Sequence, residues 1–255
     1  MRSGARPLHL KTKMAWQKFI AAFDVHGDKQ HKTSVNVLLR FCEIWKPKLR
    51  VMGGDLWDFR PLRRKASEAE RRESMAADFN AGCEFLEKFK PTHFVRGNHD
   101  ERLWELAAED RGVESDYARK GVSEISDRLA ALRCAMLPYH KRDGILKIGH
   151  LKILHGFHSG VLSSRQTALI YGSCLFGHIH CIDEHAIPRL DRTVARCCGC
   201  LCDLDMDYSA RHTLTLRQAH GFAYGVVDDK SGDFHVWQGE EINGKWILPT
   251  DTVTL

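Results

Sequence analysis

Hydrophobic positions along the chain follow two regimes. Short apolar runs, Phe19-Ile20-Ala21-Ala22-Phe23, Leu49 to Met52 and His93 to Val95, read as buried strands, and each ends abruptly in polar residues and glycine. Between them the spacing becomes helical. Val35, Leu38, Leu39, Cys42 and Ile44 form one apolar face, with Ser34 as the expected cap and Pro47 as the stop. The charged stretch Ala66 to Phe89 carries Met75, Phe79, Phe85 and Leu86 at helical spacing, and Glu101 to Leu132 is also predicted helical. Strands alternating with helices imply a mostly parallel sheet with right-handed crossovers.

The second half changes character. Ile145 to Ile148 and Leu151 to Leu154 read as a hairpin across Gly149-His150, followed by a helix from about Ser164 to Tyr171 and a strand from Ser173 to Phe176. Further strand-like runs fall at 182–188, 193–198, 221–228 and 233–238, the last two joined by a polar turn from Asp228 to Asp233. No repeat or linker interrupts the pattern. The expectation is one domain over residues 16–255 behind a flexible basic arm, residues 1–15, that carries Arg2, Arg6, Lys11 and Lys13.

Composition narrows the class. With 255 residues, 43% hydrophobic and 28% charged, the chain is neither disordered nor fibrous. No apolar run approaches the roughly 18 to 20 residues of a membrane span, and no hydrophobic segment follows the basic start, so a cytoplasmic protein without a membrane partner is expected. The net charge of +5 suits phosphorylated partners without amounting to a nucleic-acid coat. Nine cysteines, four of them at Cys197, Cys198, Cys200 and Cys202, read as reduced thiols, with Cys200 and Cys202 as small core residues on one strand face.

The unusual count is fifteen histidines. Several follow predicted strands together with acids or an amide: Asp24 with His26, Asp55, Asn98 with His99, His155, and His178 with His180. Strand tips are where open α/β sheets place their sites. Carboxylate and imidazole without thiolate suit divalent transition metals, Mn, Fe, Zn, Ni or Co, better than calcium.

The ordered blocks Asp24-Val25-His26, Gly54-Asp55-Leu56-Trp57-Asp58, Gly97-Asn98-His99-Asp100, His155-Gly156 and Gly177-His178-Ile179-His180 resemble those of the calcineurin-like metallophosphoesterase superfamily. The resemblance implies an α/β fold, a four-layer α/β/β/α sandwich of two mixed sheets flanked by helices, with the metal site at strand C-terminal tips. It implies one cation held by Asp24, His26 and His180, a second by Asn98, His155 and His178, and Asp55 between them. Two such transition-metal ions, with Mn favoured in vitro, would make the protein a dinuclear metal-dependent phosphohydrolase attacking through a metal-bridging hydroxide. His99, paired with Asp58, is expected to assist the leaving oxygen as an imidazolium whose share that carboxylate raises. Substrate contacts are expected from Asn98, His99, His158 and Arg60.

The favoured substrate is a phosphodiester of nucleic acid or nucleotide, DNA or RNA included, which makes a nuclease one form of the activity. The alternatives are a phosphomonoesterase and a catalytically weak binding scaffold of the same fold. Cys200-Leu201-Cys202 with the later His220-Gly221-Phe222-Ala223 is similar to the tails of bacteriophage and prophage members, which favours nucleic-acid metabolism. Asp28 and Asp100 are expected behind the ligands, Trp57 beneath the metal loop, and Arg96 or Arg102 near the phosphate.

Overall fold

Strand β1 (Trp16–Ala22) shows why two sheets form. Its alternate side chains Phe19 and Ala21, continued by Phe23, face one core, while Ile20 and Ala22 face another, and all five are fully buried. A strand buried on both faces needs a layer on each side. The computed structural model describes residues 16–204 and 213–248, so the predicted arm at residues 1–15 lies outside the described residues.

In the first sheet β1 pairs in parallel with β2 (Leu49–Met52), which is followed outward by β3 (His93–Val95) and β4 (Ala135–Leu137), also parallel. On its other side β1 runs antiparallel to β10 (Gly221–Asp228), which leads to β11 (Phe234–Ile242) and β12 (Lys245–Ile247). The second sheet has the order β5 (Leu146–Ile148), β6 (Leu151–Ile153), β7 (Cys174–Phe176), β9 (Val194–Cys198) and β8 (Ile182–Ala186). Its β6, β7 and β9 are parallel, and β5 and β8 are antiparallel edges. Both sheets are therefore mixed.

Phe19, Phe23, Val51 and Val95 of the first sheet pack with Leu151, Ile153 and Leu175 of the second, forming the inter-sheet core. The outer face of the first sheet is covered by α1 (Lys32–Trp45), α3 (Met75–Phe89), α4 (Asn98–Ala108) and α5 (Val113–Ala131), whose Leu38, Phe85, Leu103 and Ile125 join Met52, Phe94 and Phe222. Helix α6 (Ser163–Tyr171) lays Ala168 and Tyr171 on Cys174, Phe176 and Ala195 of the second sheet. Helices, two mixed sheets and a further helix give the four layers expected.

Local differences have local causes. Helix α1 starts at Lys32 after His31, and the Ser34 hydroxyl lies 2.7 Å from His31 Nδ1 instead of capping. The stretch 66–89 divides into α2 (Glu68–Arg71) and α3, since Ser67 and Ser74 each accept a backbone N–H and start a helix of their own. Gly112, at φ 57°, separates α4 from α5. Cys200 and Cys202 lie in no strand of either sheet and form isolated bridges, to His220 and Gln30. No described helix is long and apolar enough to cross a membrane.

Candidate metal centre

The tips of β1, β2, β3, β6 and β7 deliver the five polar blocks to one end of the two sheets. Backbone hydrogen bonds lace the tips together: Asp24 N donates to Gly54 O, Val25 N and His26 N to Asp55 O, and Gly177 N to His155 O. Asp24, His26, Asp55, His178 and His180 all hold left-handed backbone, φ 51° to 70°. Each such residue costs about 1–2 kcal/mol, so the cluster is a store of strain at one place.

Glycines allow the close approach. A Cβ on Gly97 would lie 2.1 Å from Asp55 Oδ1, although its φ of −97° is ordinary, so space and not a sharp turn requires glycine there. Gly54 has both reasons, a φ of +106° and an added Cβ 2.5 Å from His155 Nδ1.

Each carboxylate spends one oxygen on the backbone and aims the other inward. Asp55 Oδ1 accepts from His99 N at 2.8 Å, leaving Oδ2 to face His155 Nε2 at 3.1 Å and His26 Nε2 at 4.0 Å. Asp24 Oδ2 accepts from His178 N at 2.9 Å, while its buried Oδ1 makes no hydrogen bond and sits 3.4 Å from His180 Nε2. His26 Nε2 and His180 Nε2 face each other at 3.2 Å. On the other side Asn98 Oδ1 lies 2.8 Å from His178 Nδ1 and 3.1 Å from His155 Nε2.

Two donors bound to one ion at about 2.1 Å stand about 3.0–3.4 Å apart at octahedral or tetrahedral angles. Four of the spacings above, 3.1 to 3.4 Å, fall in that range, with Asn98 Oδ1 to His178 Nδ1 shorter at 2.8 Å and Asp55 Oδ2 to His26 Nε2 longer at 4.0 Å, and the orphaned Asp24 Oδ1 also fits a cation. Asp24, His26 and His180 form one donor group, Asn98, His155 and His178 another, and Asp55 lies between them. This is a set of hard oxygens and imidazoles suited to divalent transition metals.

The electrostatics are reciprocal. Burial alone would raise the carboxyls of Asp24, Asp55 and Asp58, but the facing imidazoles hold all three below the usual carboxylate range. Burial would lower His26, His155 and His180, yet the facing carboxylates lift them, His155 to about 9, with the Cys200 sulfur adding to Asp24 at His180. His178 goes the other way, pushed down to about 4 by burial and by neighbouring His155. Asp100 is raised to about 7 by burial and the Asp55 charge, although it accepts N–H bonds from Asp55, Trp57 and Gly97 at 2.8 to 2.9 Å. That carboxyl ties the second and third blocks together.

His99 Nδ1 lies 2.5 Å from Asp58 Oδ1, and His99 Nε2 lies 3.8 Å from Asp55 Oδ2. The expected gain in imidazolium is not what the surroundings produce: burial outweighs the pull of Asp55 and Asp58, and His99 falls below the ordinary histidine value. Arg102 Nη1 donates to Asp58 O at 2.6 Å and lies 3.3 Å from Asp58 Oδ1. Arg60, expected at the substrate, is 4% exposed, and its guanidinium is spent on Asp28, Asp58 and Glu73. It stands behind Asp58. His158 lies half-buried in the loop between β6 and α6. Trp57 is buried under the loop, donating to Phe79 O at 3.0 Å, and Arg96 covers the Trp104 ring.

Two neighbours were not expected at the site: Tyr139, and Cys202, which the sequence suggests as a small core residue. Cys202 Sγ lies 3.7 Å from His180 Nδ1, and Tyr139 donates its hydroxyl to Gly156 O at 3.0 Å with its ring edge-on to His155. Their positions come from chain crossings far from the blocks. Beside the site, a cavity of about 1160 Å³ between the 61–75 segment and helices α4 and α5 is lined by Arg63, Arg64, Arg71, Arg102 and Arg111 together with three glutamates.

No protein-family model matches the chain, and no curated protein matches it. Among solved structures it is similar to a Vps29 variant from Entamoeba histolytica, with 12% identity, TM-score 0.48, and coverage of 90% of this chain and 96% of that one. Vacuolar protein sorting 29 from Cryptosporidium parvum gives 14% identity and TM-score 0.46, covering 91% of this chain and 95% of that one. A metallophosphoesterase from Sphaerobacter thermophilus gives 12% identity and TM-score 0.42, covering 87% and 88%.

Proposed function

We propose that this chain is a dinuclear metal-dependent phosphohydrolase of the calcineurin-like type, acting on phosphodiesters of nucleic acid or nucleotide. The observation that carries the reading is the pair of donor groups meeting at Asp55 Oδ2, with the unpaired Asp24 Oδ1 aimed between buried imidazoles. Asp24, His26 and His180 would hold one ion, Asn98, His155 and His178 the other, and Asp55 both. Bound there, the ions would supply Lewis acidity toward a phosphoryl oxygen and make water a better nucleophile at neutral pH.

The chain's own groups do the rest. His99 projects from the first turn of α4 beside Asp55 and would give a proton to the departing ester oxygen from Nε2. Asp58 orients it through Nδ1, and Arg60 and Arg102 hold Asp58 in turn. Arg60 thus acts through Asp58. The depressed affinity of His99 for its proton favours release to the leaving group. Substrate contacts from Asn98, His99 and His158 belong to this proposal.

A diester with an extended anionic chain is favoured by the neighbouring cavity. Arg64 and Arg71 on its wall have no carboxylate partner among the described residues, whereas Arg63 and Arg111 are engaged by glutamates. A role of the phage type in nucleic-acid metabolism and a reducing, cytoplasmic setting complete the reading, and the latter fits nine cysteines that are all unpaired.

Elemental analysis with turnover of bis-(p-nitrophenyl) phosphate in Mn tests the proposal. Two ions per chain and hydrolysis lost in Asp55→Asn are expected. Metal bound without turnover of diester or monoester would replace the enzyme reading with the binding scaffold.

A further inference from the structure

The imidazoles of the centre are held from behind in different ways. His155 aims Nε2 forward because Nδ1 lies 3.1 Å from Gly53 O, a backbone acceptor. His26 aims Nε2 forward with Nδ1 3.4 Å from Asp58 Oδ2. His180 also aims Nε2 forward, toward Asp24 Oδ1 at 3.4 Å and His26 Nε2 at 3.2 Å. Behind its Nδ1 stands sulfur: Cys202 Sγ, at 3.7 Å, in a fully buried residue.

We propose that Cys202 is a positioning residue for His180, its sulfur accepting the Nδ1–H and so leaving the Nε2 lone pair free for a cation. A neutral imidazole carries one proton, and it can offer Nε2 to a metal only if that proton sits on Nδ1. The group facing Nδ1 is the Cys202 sulfur at 3.7 Å. Sulfur is larger and softer than the carbonyl oxygen behind His155, reaches farther, and accepts a weaker hydrogen bond, so His180 is held less firmly than His155, while His26 Nδ1 faces Asp58 without a hydrogen bond.

The sulfur is itself held in place. Cys202 O receives His220 Nε2 at 3.0 Å, and His220 Nδ1 lies 2.9 Å from Glu241 Oε2. The His31 ring stacks on His220 with centroids 4.0 Å apart, and His31 N donates to Leu201 O at 2.7 Å. One residue earlier, Leu201 N donates to Asp24 O at 3.0 Å. The segment 200–202 therefore ties the backbone of one donor, Asp24, to the ring of another, His180. Cys200 Sγ lies 3.7 Å from Ala219 O and 3.9 Å from Cys202 O, and it is a second sulfur that interacts with His180. The pair expected as plain core residues takes this place because the segment is tied by backbone bonds to Asp24 and His31 and by bridges to Gln30 and His220.

The inference rests on the metal-holding reading, and the test separates the two. Elemental analysis and chelator competition are run on full-length wild type, Cys202→Ala, Cys202→Ser and His180→Ala, with circular dichroism as the check on folding. Expected are two ions in wild type, one ion weakened about 10–100-fold in Cys202→Ala with the other unchanged, and partial recovery in Cys202→Ser, whose hydroxyl accepts again. Cys202→Ala binding both ions as wild type does would overturn the role of Cys202 and leave the metal centre standing. Folded wild type that binds no ion would overturn both. Two further readouts use wild type alone. In the zinc-loaded protein, histidine nitrogen NMR should show His180 protonated at Nδ1, and a bare Nδ1 overturns the proposal. In the cobalt-loaded protein, a near-ultraviolet sulfur-to-cobalt band would make Cys202 a ligand and likewise overturn it.

Discussion

The two donor groups on either side of Asp55 are built differently. Asn98, His155 and His178 meet on one amide oxygen, and the main chain supports them: Gly53 O behind His155 and the first turn of α4 under Asn98. Asp24, His26 and His180 meet nitrogen to nitrogen and oxygen, and two of them are held by side chains, Asp58 and Cys202. Main-chain supports survive most substitutions. Side-chain supports do not, so the group at the tip of β1 is the adjustable one and the group around Asn98 the rigid one.

The most damaging change should be at the residue the groups share. Asp55→Asn keeps the shape but removes the charge proposed to lie between two cations, and should lower metal content and cut diester turnover by about 10⁴-fold or more, read by elemental analysis and steady-state kinetics. Turnover within tenfold of wild type would end the description of two groups joined at Asp55. Next in size, His180→Ala and His178→Ala should each leave one ion of two and cost about 10³-fold in turnover. If the comparison holds, chelator competition should find the surviving ion tighter in His180→Ala, which keeps the rigid group.

His99→Ala should retain both ions and slow turnover by about 10²–10⁴-fold, most for substrates with poor leaving groups. Loss of metal in that variant would move His99 from the leaving group into the centre. Loading should also stabilise the fold by about 2.7 kcal/mol at an ion concentration a hundred times the dissociation constant, seen as a chelator-reversible rise in Tm. The smallest effect belongs to Arg64→Ala with Arg71→Ala. Oligonucleotide KM should rise about three- to tenfold and its salt dependence should flatten, while bis-(p-nitrophenyl) phosphate is unaffected.

Much of this architecture was legible before any coordinates. The runs at Phe19 to Phe23, Leu49 to Met52 and His93 to Val95 are read correctly because strands buried on both faces leave continuous apolar segments. Strands β4 and β12 left no such trace. Ala135, Met136, Lys245 and Ile247 are exposed on edge strands of three residues, where pairing and not hydrophobicity makes the strand. Ser34 misled because a cap is defined by the direction of the entering chain, and His31 enters instead.

At the centre, the order of residues settles which groups arrive, since each block sits where an apolar run stops and the backbone must leave the sheet. It does not settle how they are aimed. Arg60 is turned from a surface cation into a support for Asp58 by three carboxylates, two of them 13 and 32 residues away, and burial reverses the proton balance expected of His99. His180 meets His26 across 154 positions and Cys202 across 22, distances at which composition and periodicity carry no signal. Local patterns report local forces, hydrophobic burial and backbone preference. Orientation, charge state and second partners depend on which strands become neighbours and in what register, and those exist only once the two sheets have packed.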